Sequence, residues 1–254
     1  MNVIRGNMYN PYSLEWKTIL ITGAASGIGR CTSIECSKNG ARLVLVDLNE
    51  EGLKATLGLL EGEKDHLLFS GNLCDEAFLQ QLAANTPDLD GVFLCAGVSD
   101  TTLAKFYTID KIDRVLNVNV IAPAMMLRYL LGKKKINKNG SLVWMSSAGA
   151  EEVEPGLGIY AASKSAVNGL MRTYAKELLG RKIRSNSIMP MMIKTELVGT
   201  LSNISDDQWK KQEEMYPLGF GNPLDVAYLA MYLFSDASRW VTGSRFKIDG
   251  GSTL

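Results

Sequence analysis

Short apolar runs alternate with longer helical segments along most of this 254-residue chain. Runs that are apolar throughout are typical of parallel strands covered on both faces. Strands separated by helices predict βαβ units and a parallel sheet with helices on both sides. The runs are Lys17–Thr22, Leu43–Val46, Leu67–Phe69, Gly91–Leu94, Ser141–Met145, Ile183–Ile188 and Arg245–Ile248.

The helical segments are separated by no Pro/Ser/Gly-rich linker, and the chain contains no repeat. We therefore expect a single domain over residues 15–254, preceded by an arm at residues 1–14. Residues 191–216 break the alternation, and a stretch of this length without a sheet partner suggests a substrate lid or else a surface excursion. The predicted helices are the segment from Gly29 to Asn39, Glu50–Leu60, Asp75–Ala84, Ile109–Leu131, Tyr160–Leu179 and Pro223–Phe234.

The composition argues against several classes of function. Lys+Arg and Asp+Glu number 27 each, so no net charge favours nucleic acid or an anionic membrane. A single histidine, His66, argues against a histidine-rich metal site, and we expect no metal. The four cysteines lack CxxC spacing, as expected of reduced thiols in the cytoplasm. We identify neither a membrane span nor a signal peptide.

A glycine-rich turn, Gly23-Ala-Ala-Ser-Gly27-Ile-Gly29, joins the first apolar run to the first helical segment. Glycines in such a turn let the backbone approach a pyrophosphate and let the helix pack closely on the strand. The amides at the start of the helix would then face the phosphates. The same turn also occurs as a purely structural feature, but its place in the first βα unit favours a dinucleotide.

Asp47 ends the second apolar run, 18 residues after Gly29. A carboxylate there can accept hydrogen bonds from the adenosine ribose hydroxyls, and it would repel a 2′-phosphate. Neither Ser26 nor Leu48 supplies a basic side chain for that phosphate. Asp47 could instead be a helix N-cap or a turn residue. We interpret the pattern as favouring NAD over NADP.

Tyr160 and Lys164 lie four residues apart in an Ala-rich segment, so a helix would place both on one face. A nearby ammonium favours the phenolate and lowers the pKa of the tyrosine. Lowering that pKa from ~10 to about 7 requires roughly 4 kcal/mol. One lysine is not expected to supply all of it, so a second positive charge is implied, such as an oxidised nicotinamide. The alternative is a packed tyrosine beside a solvated lysine.

Taken together, these residues resemble the short-chain dehydrogenase/reductase family, and the match extends from Lys17 to Gly251. The resemblance implies one Rossmann-like, doubly wound α/β domain with a seven-stranded parallel sheet of order 3-2-1-4-5-6-7. It also implies an NAD-dependent oxidoreductase that interconverts a secondary alcohol and a ketone, assembled as a homodimer or homotetramer. The motifs that carry it are Thr22-Gly-Ala-Ala-Ser-Gly-Ile-Gly29, Asp47, Asn72-Leu73, Ala96-Gly97, Asn117-Val-Asn119, Ser146-Ser147, Tyr160-x-x-x-Lys164 and Asp249-Gly-Gly251.

The resemblance further implies roles for single residues. Tyr160 would be the general acid/base, and Ser147 would hold the substrate oxygen. Lys164 would bind the nicotinamide ribose, and Asn119 would sustain a water-linked proton relay. The residues expected to contact the cofactor are Gly23, Ser26, Gly27, Ile28, Gly29, Asp47, Leu48, Asn72, Leu73, Ala96, Gly97, Tyr160, Lys164, Pro190, Ile193 and Thr195.

Two places depart from the family's usual pattern. Leu94-Cys95 stands where the family usually has two asparagines that steady the central sheet, and Met191 stands where it usually has a glycine beside the nicotinamide. Two other functions stay open. One is a 3-oxoacyl thioester reductase that uses NADPH. The other is a non-catalytic NAD-binding sensor, because a fold does not fix a function.

Overall fold

A computed structural model describes residues 10–62, 65–195 and 213–254 of the chain. Seven strands form one parallel sheet in the order β3-β2-β1-β4-β5-β6-β7, which confirms the predicted fold. The strands are β1 (Thr18–Thr22), β2 (Arg42–Asp47), β3 (Leu67–Ser70), β4 (Leu89–Leu94), β5 (Ile136–Met145), β6 (Arg184–Pro190) and β7 (Arg245–Ile248).

Helices cover both faces of the sheet because alternate strand residues point to opposite sides. On β1, Ile19 and Ile21 face one apolar cluster, whereas Leu20 faces the other. Helices α1 and α7 pack on the first face, and α5 and α6 on the second. The helices are α1 (Gly27–Lys38), α2 (Glu50–Leu57), α3 (Glu76–Asn85), α4 (Ile109–Leu116), α5 (Ala122–Gly132), α6 (Gly158–Glu177) and α7 (Pro223–Phe234).

Two elements differ from the sequence prediction. β5 begins at Ile136, five residues before the predicted start, because Ile136 pairs with Leu89 before a register shift interrupts the ladder to β4. The long helix predicted at Ile109–Leu131 is continuous, but its middle, Asn117–Ile121, is a π-helical turn between α4 and α5. Insertions of this kind are common at functional sites, and this one carries Asn119.

The continuous helix Ile109–Gly132 also bears on the membrane prediction. Within the described ranges it is the one helix long and apolar enough to cross a membrane, which sequence analysis did not predict. Length and composition alone are weak evidence for a span, because core helices that cover a sheet pass the same test. Here Met126, Leu127 and Leu130 belong to the apolar cluster under the sheet.

The two ends of the predicted lid lie beside the final strand. The described parts of residues 191–216 are 191–195 and 213–216; residues 196–212 lie outside the described structure, as do residues 1–9 of the arm. Met191 N–H donates to Ile248 O at 3.1 Å, and Ile193 pairs with Gly221 as an isolated bridge. The described end of the arm packs on the domain, with Leu14 fully buried.

Candidate active site

The glycine-rich turn between β1 and α1 packs backbone on backbone. A Cβ on Gly29 would lie 2.1 Å from Gly23 O, and a Cβ on Gly23 would lie 3.1 Å from Ala96 Cα. Gly23 also has a φ of 71°, which side chains rarely adopt. Within the described structure, the N-cap residue Ser26 makes no side-chain hydrogen bond to α1. The Ser26 side chain therefore leaves the first N–H groups of α1 available to hydrogen-bond an anion.

Asp47 ends β2 and stands at the rim of this turn. Its Oδ2 accepts a hydrogen bond from Ala25 N–H at 3.1 Å, and its Oδ1 accepts one from Asn49 N–H at 3.0 Å. The N-cap of α2 is Asn49, whose side chain accepts from Gly52 N–H, so the N-cap alternative for Asp47 is wrong. Leu48, which follows Asp47, is 71% exposed and offers no charge.

Arg30 is a site residue that the sequence analysis missed. It lies in the first turns of α1, and its guanidinium donates to Ala25 O and to Thr56 Oγ1. Its side chain thus supports the glycine-rich turn from the side opposite Asp47, which bonds the same residue through Ala25 N–H. A charged residue inside a helical pattern is ordinarily solvated, so the spacing of Arg30 gave no signal for this contact.

The predicted adenine residues Asn72 and Leu73 follow β3. The side-chain oxygen of Asn72 accepts from Cys74 N–H at 2.9 Å, so Asn72 also shapes its own turn. Leu73 lines a small apolar cleft next to the glycine-rich turn. The residues lining that cleft are Thr22, Leu73, Leu94, Ala96, Val118, Pro123 and Met126.

Thr22 holds the end of β4 where the family's usual asparagines are replaced. Its hydroxyl accepts from the N–H groups of Cys95 and Ala96, both at 3.0 Å, and donates to Phe93 O at 3.2 Å. All three contacts are to backbone, so they do not depend on the side chain at position 95. Desolvation raises the pKa of the Cys95 thiol to about 12.

The helix α6 brings Tyr160 and Lys164 to one face beside Ser147, as predicted. Ser147 lies close enough to Tyr160 to lower the pKa of the phenol, and its Oγ lies 3.4 Å from Pro190 O and accepts from Gly149 N–H at 3.0 Å. Lys164 is 4% exposed and donates from Nζ to Met145 O at 2.9 Å. Its Nζ lies 5.6 Å from the centroid of the Tyr160 ring. These groups stand at the carboxyl ends of β5 and β6, on the same sheet edge as the glycine-rich turn.

The ionisation of Tyr160 differs from the expectation drawn from the sequence. Burial raises the pKa of Tyr160, and the hydrogen bond with Ser147 offsets only part of that rise. Lys164 Nζ donates its hydrogen bond to Met145 O rather than to the phenol. In the chain alone, desolvation therefore outweighs the ammonium. A second positive charge is needed to bring the pKa of Tyr160 below its ordinary value.

We expect Lys164 to reduce the stability of the free protein. Burial lowers the pKa of Lys164 to about 8, so folding disfavours its proton relative to the unfolded chain. Lys164→Met should raise the free energy of unfolding near pH 7 by about 2 kcal/mol. This is roughly 3 kcal/mol from the pKa shift less about 1 kcal/mol for the lost bond to Met145 O.

The pH dependence gives the check. Because the folded pKa lies below that of the unfolded chain, wild type gains stability as the pH rises from about 8 towards 10.5. Urea unfolding of both proteins should show that the difference in the free energy of unfolding between Lys164→Met and wild type is smaller at pH 9.5 than at pH 7. A gap that stays constant with pH would contradict this account of Lys164.

Asn119 and Gly97 complete the surroundings of Lys164. A Cβ on Gly97 would lie 3.2 Å from Asn119 Oδ1 and 3.3 Å from Lys164 Nζ, so both groups lie directly beneath this glycine. Asn119 is buried and bonds both backbone groups of Val98. Gly97 is exposed and has no side chain, so only its backbone covers the Lys164 ammonium on this side.

The remaining predicted cofactor residues lie after β6. Thr195 reaches the glycine-rich turn: its Cγ2 lies 3.6 Å from the position of a Cβ on Gly27. Ile193 is buried, and Ile28 packs against the same apolar cluster. The segment after β6 and the turn after β1 thus face each other across the sheet edge.

Comparison with known proteins identifies the family. A sequence-family model described as enoyl-(acyl carrier protein) reductase matches residues 23–253. The 3-oxoacyl-[acyl-carrier-protein] reductase FabG of Thermotoga maritima is 33% identical over 95% of this chain and 99% of that protein. D-threitol dehydrogenase of Mycolicibacterium smegmatis is 33% identical over 96% of this chain and 95% of that protein.

A solved structure agrees with these sequence matches. It is that of a short-chain type dehydrogenase/reductase from Mycobacterium ulcerans, with a TM-score of 0.86 and 29% identity over 94% of this chain and 90% of that one. The chain therefore belongs to the short-chain dehydrogenase/reductase family of NAD(P)-dependent oxidoreductases, enzymes that act on CH–OH and C=O groups of small molecules.

Proposed function

We propose that this enzyme uses NAD to interconvert a secondary alcohol and a ketone, with Tyr160 as the general acid/base. The observation that carries the proposal is the meeting of Ser147, Tyr160 and Lys164 on the sheet edge that also holds the glycine-rich turn. A phenol, a hydroxyl and an ammonium in one place can move a proton and stabilise charge on one oxygen.

The residues present fit a dinucleotide. The turn, in which Gly23 and Gly29 pack tightly against backbone, and the start of α1 suit a pyrophosphate, and Asp47 suits the ribose hydroxyls. We assign Asn72 and Leu73 to the adenine, Lys164 to the nicotinamide ribose, and Thr195 to the carboxamide. The other proposed contacts are Gly23, Ser26, Gly27, Ile28, Gly29, Leu48, Ala96, Gly97, Tyr160, Pro190 and Ile193.

The chain's own groups would handle the proton. When bound, the nicotinamide supplies the hydride acceptor or donor. In the oxidation, Tyr160 takes the proton from the alcohol oxygen, and in the reduction it gives a proton to the ketone oxygen. Ser147 donates a hydrogen bond to that oxygen. Lys164 favours the phenolate by its charge, and Asn119 holds the surroundings through which the proton reaches water.

We expect Asp47→Ala to reduce the preference for NAD over NADP. The ratio of the two kcat/KM values should fall by about 10- to 100-fold, because charge-assisted hydrogen bonds to the ribose are lost and repulsion of the 2′-phosphate ends. Asp47→Asn is the matched control, because it removes the charge but keeps an oxygen for Ala25 N–H. An unchanged ratio in both variants would contradict the assignment of NAD.

The NADPH-dependent 3-oxoacyl thioester reductase is the second candidate. It is supported by the similarity to the FabG protein of Thermotoga maritima, whereas the similarity to D-threitol dehydrogenase supports a small alcohol. A panel of polyols, simple secondary alcohols and 3-oxoacyl thioesters, assayed with NADH and NADPH by absorbance, distinguishes the two. Turnover of 3-oxoacyl thioesters with NADPH but not with NADH would favour the second candidate.

We further propose a cytoplasmic homo-oligomer, a dimer or a tetramer. All four cysteines are unpaired thiols, as in a reducing compartment. Ile109 and Ile121 on the long helix are 70% and 51% exposed, which suits a face covered by a second copy.

A further inference from the structure

We propose that Ser163 is a positioning residue that couples Asn119 to the backbone of Tyr160. Ser163 is fully buried in α6, between Tyr160 and Lys164 in the sequence. Its Oγ lies 3.0 Å from Asn119 Nδ2 and 2.6 Å from Tyr160 O. The inference rests on the proposed role of Tyr160.

The direction of these hydrogen bonds is fixed by the neighbours of Asn119. Val98 N–H can only donate, so the atom 2.8 Å from it must be Asn119 Oδ1. Val98 O can only accept, so the atom 2.9 Å from it must be Nδ2. The amide cannot be flipped without losing both contacts. The second N–H of Asn119 therefore points at Ser163.

The hydroxyl of Ser163 then has a single consistent arrangement. Its oxygen accepts from Asn119 Nδ2, so its one hydrogen is free to donate to Tyr160 O. The result is a directed chain from Val98 through Asn119 and Ser163 to the backbone of Tyr160. Every side chain in it is buried, where hydrogen bonds are strong and an unpaired donor is costly.

This chain joins the two elements on which the proposed chemistry depends. One end is the turn after β4, where Gly97 covers Lys164 Nζ and Asn119 Oδ1. The other end is the first turn of α6, which carries Tyr160. The hydroxyl thus holds the first turn of α6, and with it Tyr160, against Asn119 and the turn after β4. Small displacements of a reacting group reduce rates steeply.

The kinetic test is Ser163→Ala in the full-length protein, with a substrate found in the panel above. We expect kcat to fall by about 10- to 100-fold, with an increased solvent deuterium isotope effect because proton transfer becomes slower. The Kd for NADH should change less than about twofold. Ser163→Cys, which keeps the shape of the buried site but donates weakly, should lie between Ser163→Ala and wild type.

Ser165→Ala is the matched control on the same helix. Its hydroxyl bonds Ala150 O at 3.0 Å and takes no part in the hydrogen bonds that run from Val98 to Tyr160. We expect wild-type kcat and an unchanged isotope effect. A Ser163→Ala enzyme whose kcat and isotope effect match those of wild type would overturn the proposal.

A second measurement needs no substrate. The protein is labelled with [15N]Asn, and the side-chain signal of Asn119 is assigned by its loss in Asn119→Asp. Exchange of one Nδ2 hydrogen of Asn119 with solvent should be about tenfold faster in Ser163→Ala than in wild type. It should be unchanged in Ser165→Ala. Unchanged exchange would overturn the coupling. If Tyr160→Phe turns over like wild type, the proposed function fails instead, whatever Ser163 does.

Discussion

Tyr160→Phe is expected to lower kcat by about 10²- to 10⁴-fold while binding NADH as wild type does. The loss is that of a general acid/base, which contributes about this factor. The ring remains, so packing against α6 and the cofactor cleft is preserved. Only the hydroxyl, whose pKa Ser147 influences, is removed. The measurement is NADH absorbance with the best substrate of the panel, together with NADH fluorescence titration of both proteins.

The same experiment separates an enzyme from a sensor. A non-catalytic NAD-binding protein would bind NADH equally well with either residue and turn over no member of the panel in either form. An active wild type with an equally active Tyr160→Phe would instead point to a different proton donor. Ser147→Ala is a useful companion because it removes the partner of the phenol without changing Tyr160.

Gly29→Ala is expected to abolish measurable NAD binding or to prevent folding. The added Cβ would lie 2.1 Å from Gly23 O, well inside van der Waals contact. The backbone fixes the positions of both atoms, so no side-chain rotation can relieve the clash. The turn between β1 and α1 would have to open, which would move the first amides of α1 away from a bound pyrophosphate. Calorimetric titration with NAD and thermal unfolding measure the two losses.

Gly169→Ala supplies the control for that substitution. Gly169 lies exposed in α6, and a Cβ there meets nothing within 4 Å. Because alanine is the better helix former, this variant should be more stable by about 0.5–1 kcal/mol and should bind NAD normally. If Gly29→Ala bound NAD as well as Gly169→Ala, the glycine-rich turn would not be the phosphate site.

The regular elements could be predicted because they depend on local patterns. Uninterrupted apolar runs predicted the parallel strands, and the glycine-rich turn with Asp47 predicted where the cofactor binds, which stays a prediction. The strand order followed from the resemblance rather than from the runs, and the structure confirms it. The early start of β5 was missed because polar residues, among them Asn137 and Lys138, form its first half.

Features that depend on tertiary contacts could not be predicted. The π-helical turn at Asn117–Ile121 has no periodic signature. Arg30 supports the turn through a backbone oxygen brought near by folding. The rise of the Tyr160 pKa in the free chain could not be foreseen, because sequence spacing reports the neighbouring lysine but not the extent of burial. The assignment of single residues to catalysis and cofactor binding stays a prediction.

The contacts of the Thr22 hydroxyl have a consequence for how such chains diversify. Since one oxygen satisfies three main-chain groups at the end of β4, a polar side chain at position 95 is not needed to stabilise this end of the strand. Evolution can therefore place a small non-polar residue or a thiol there without loosening the sheet. A search for relatives that insists on asparagine at this point would pass over chains whose architecture is intact.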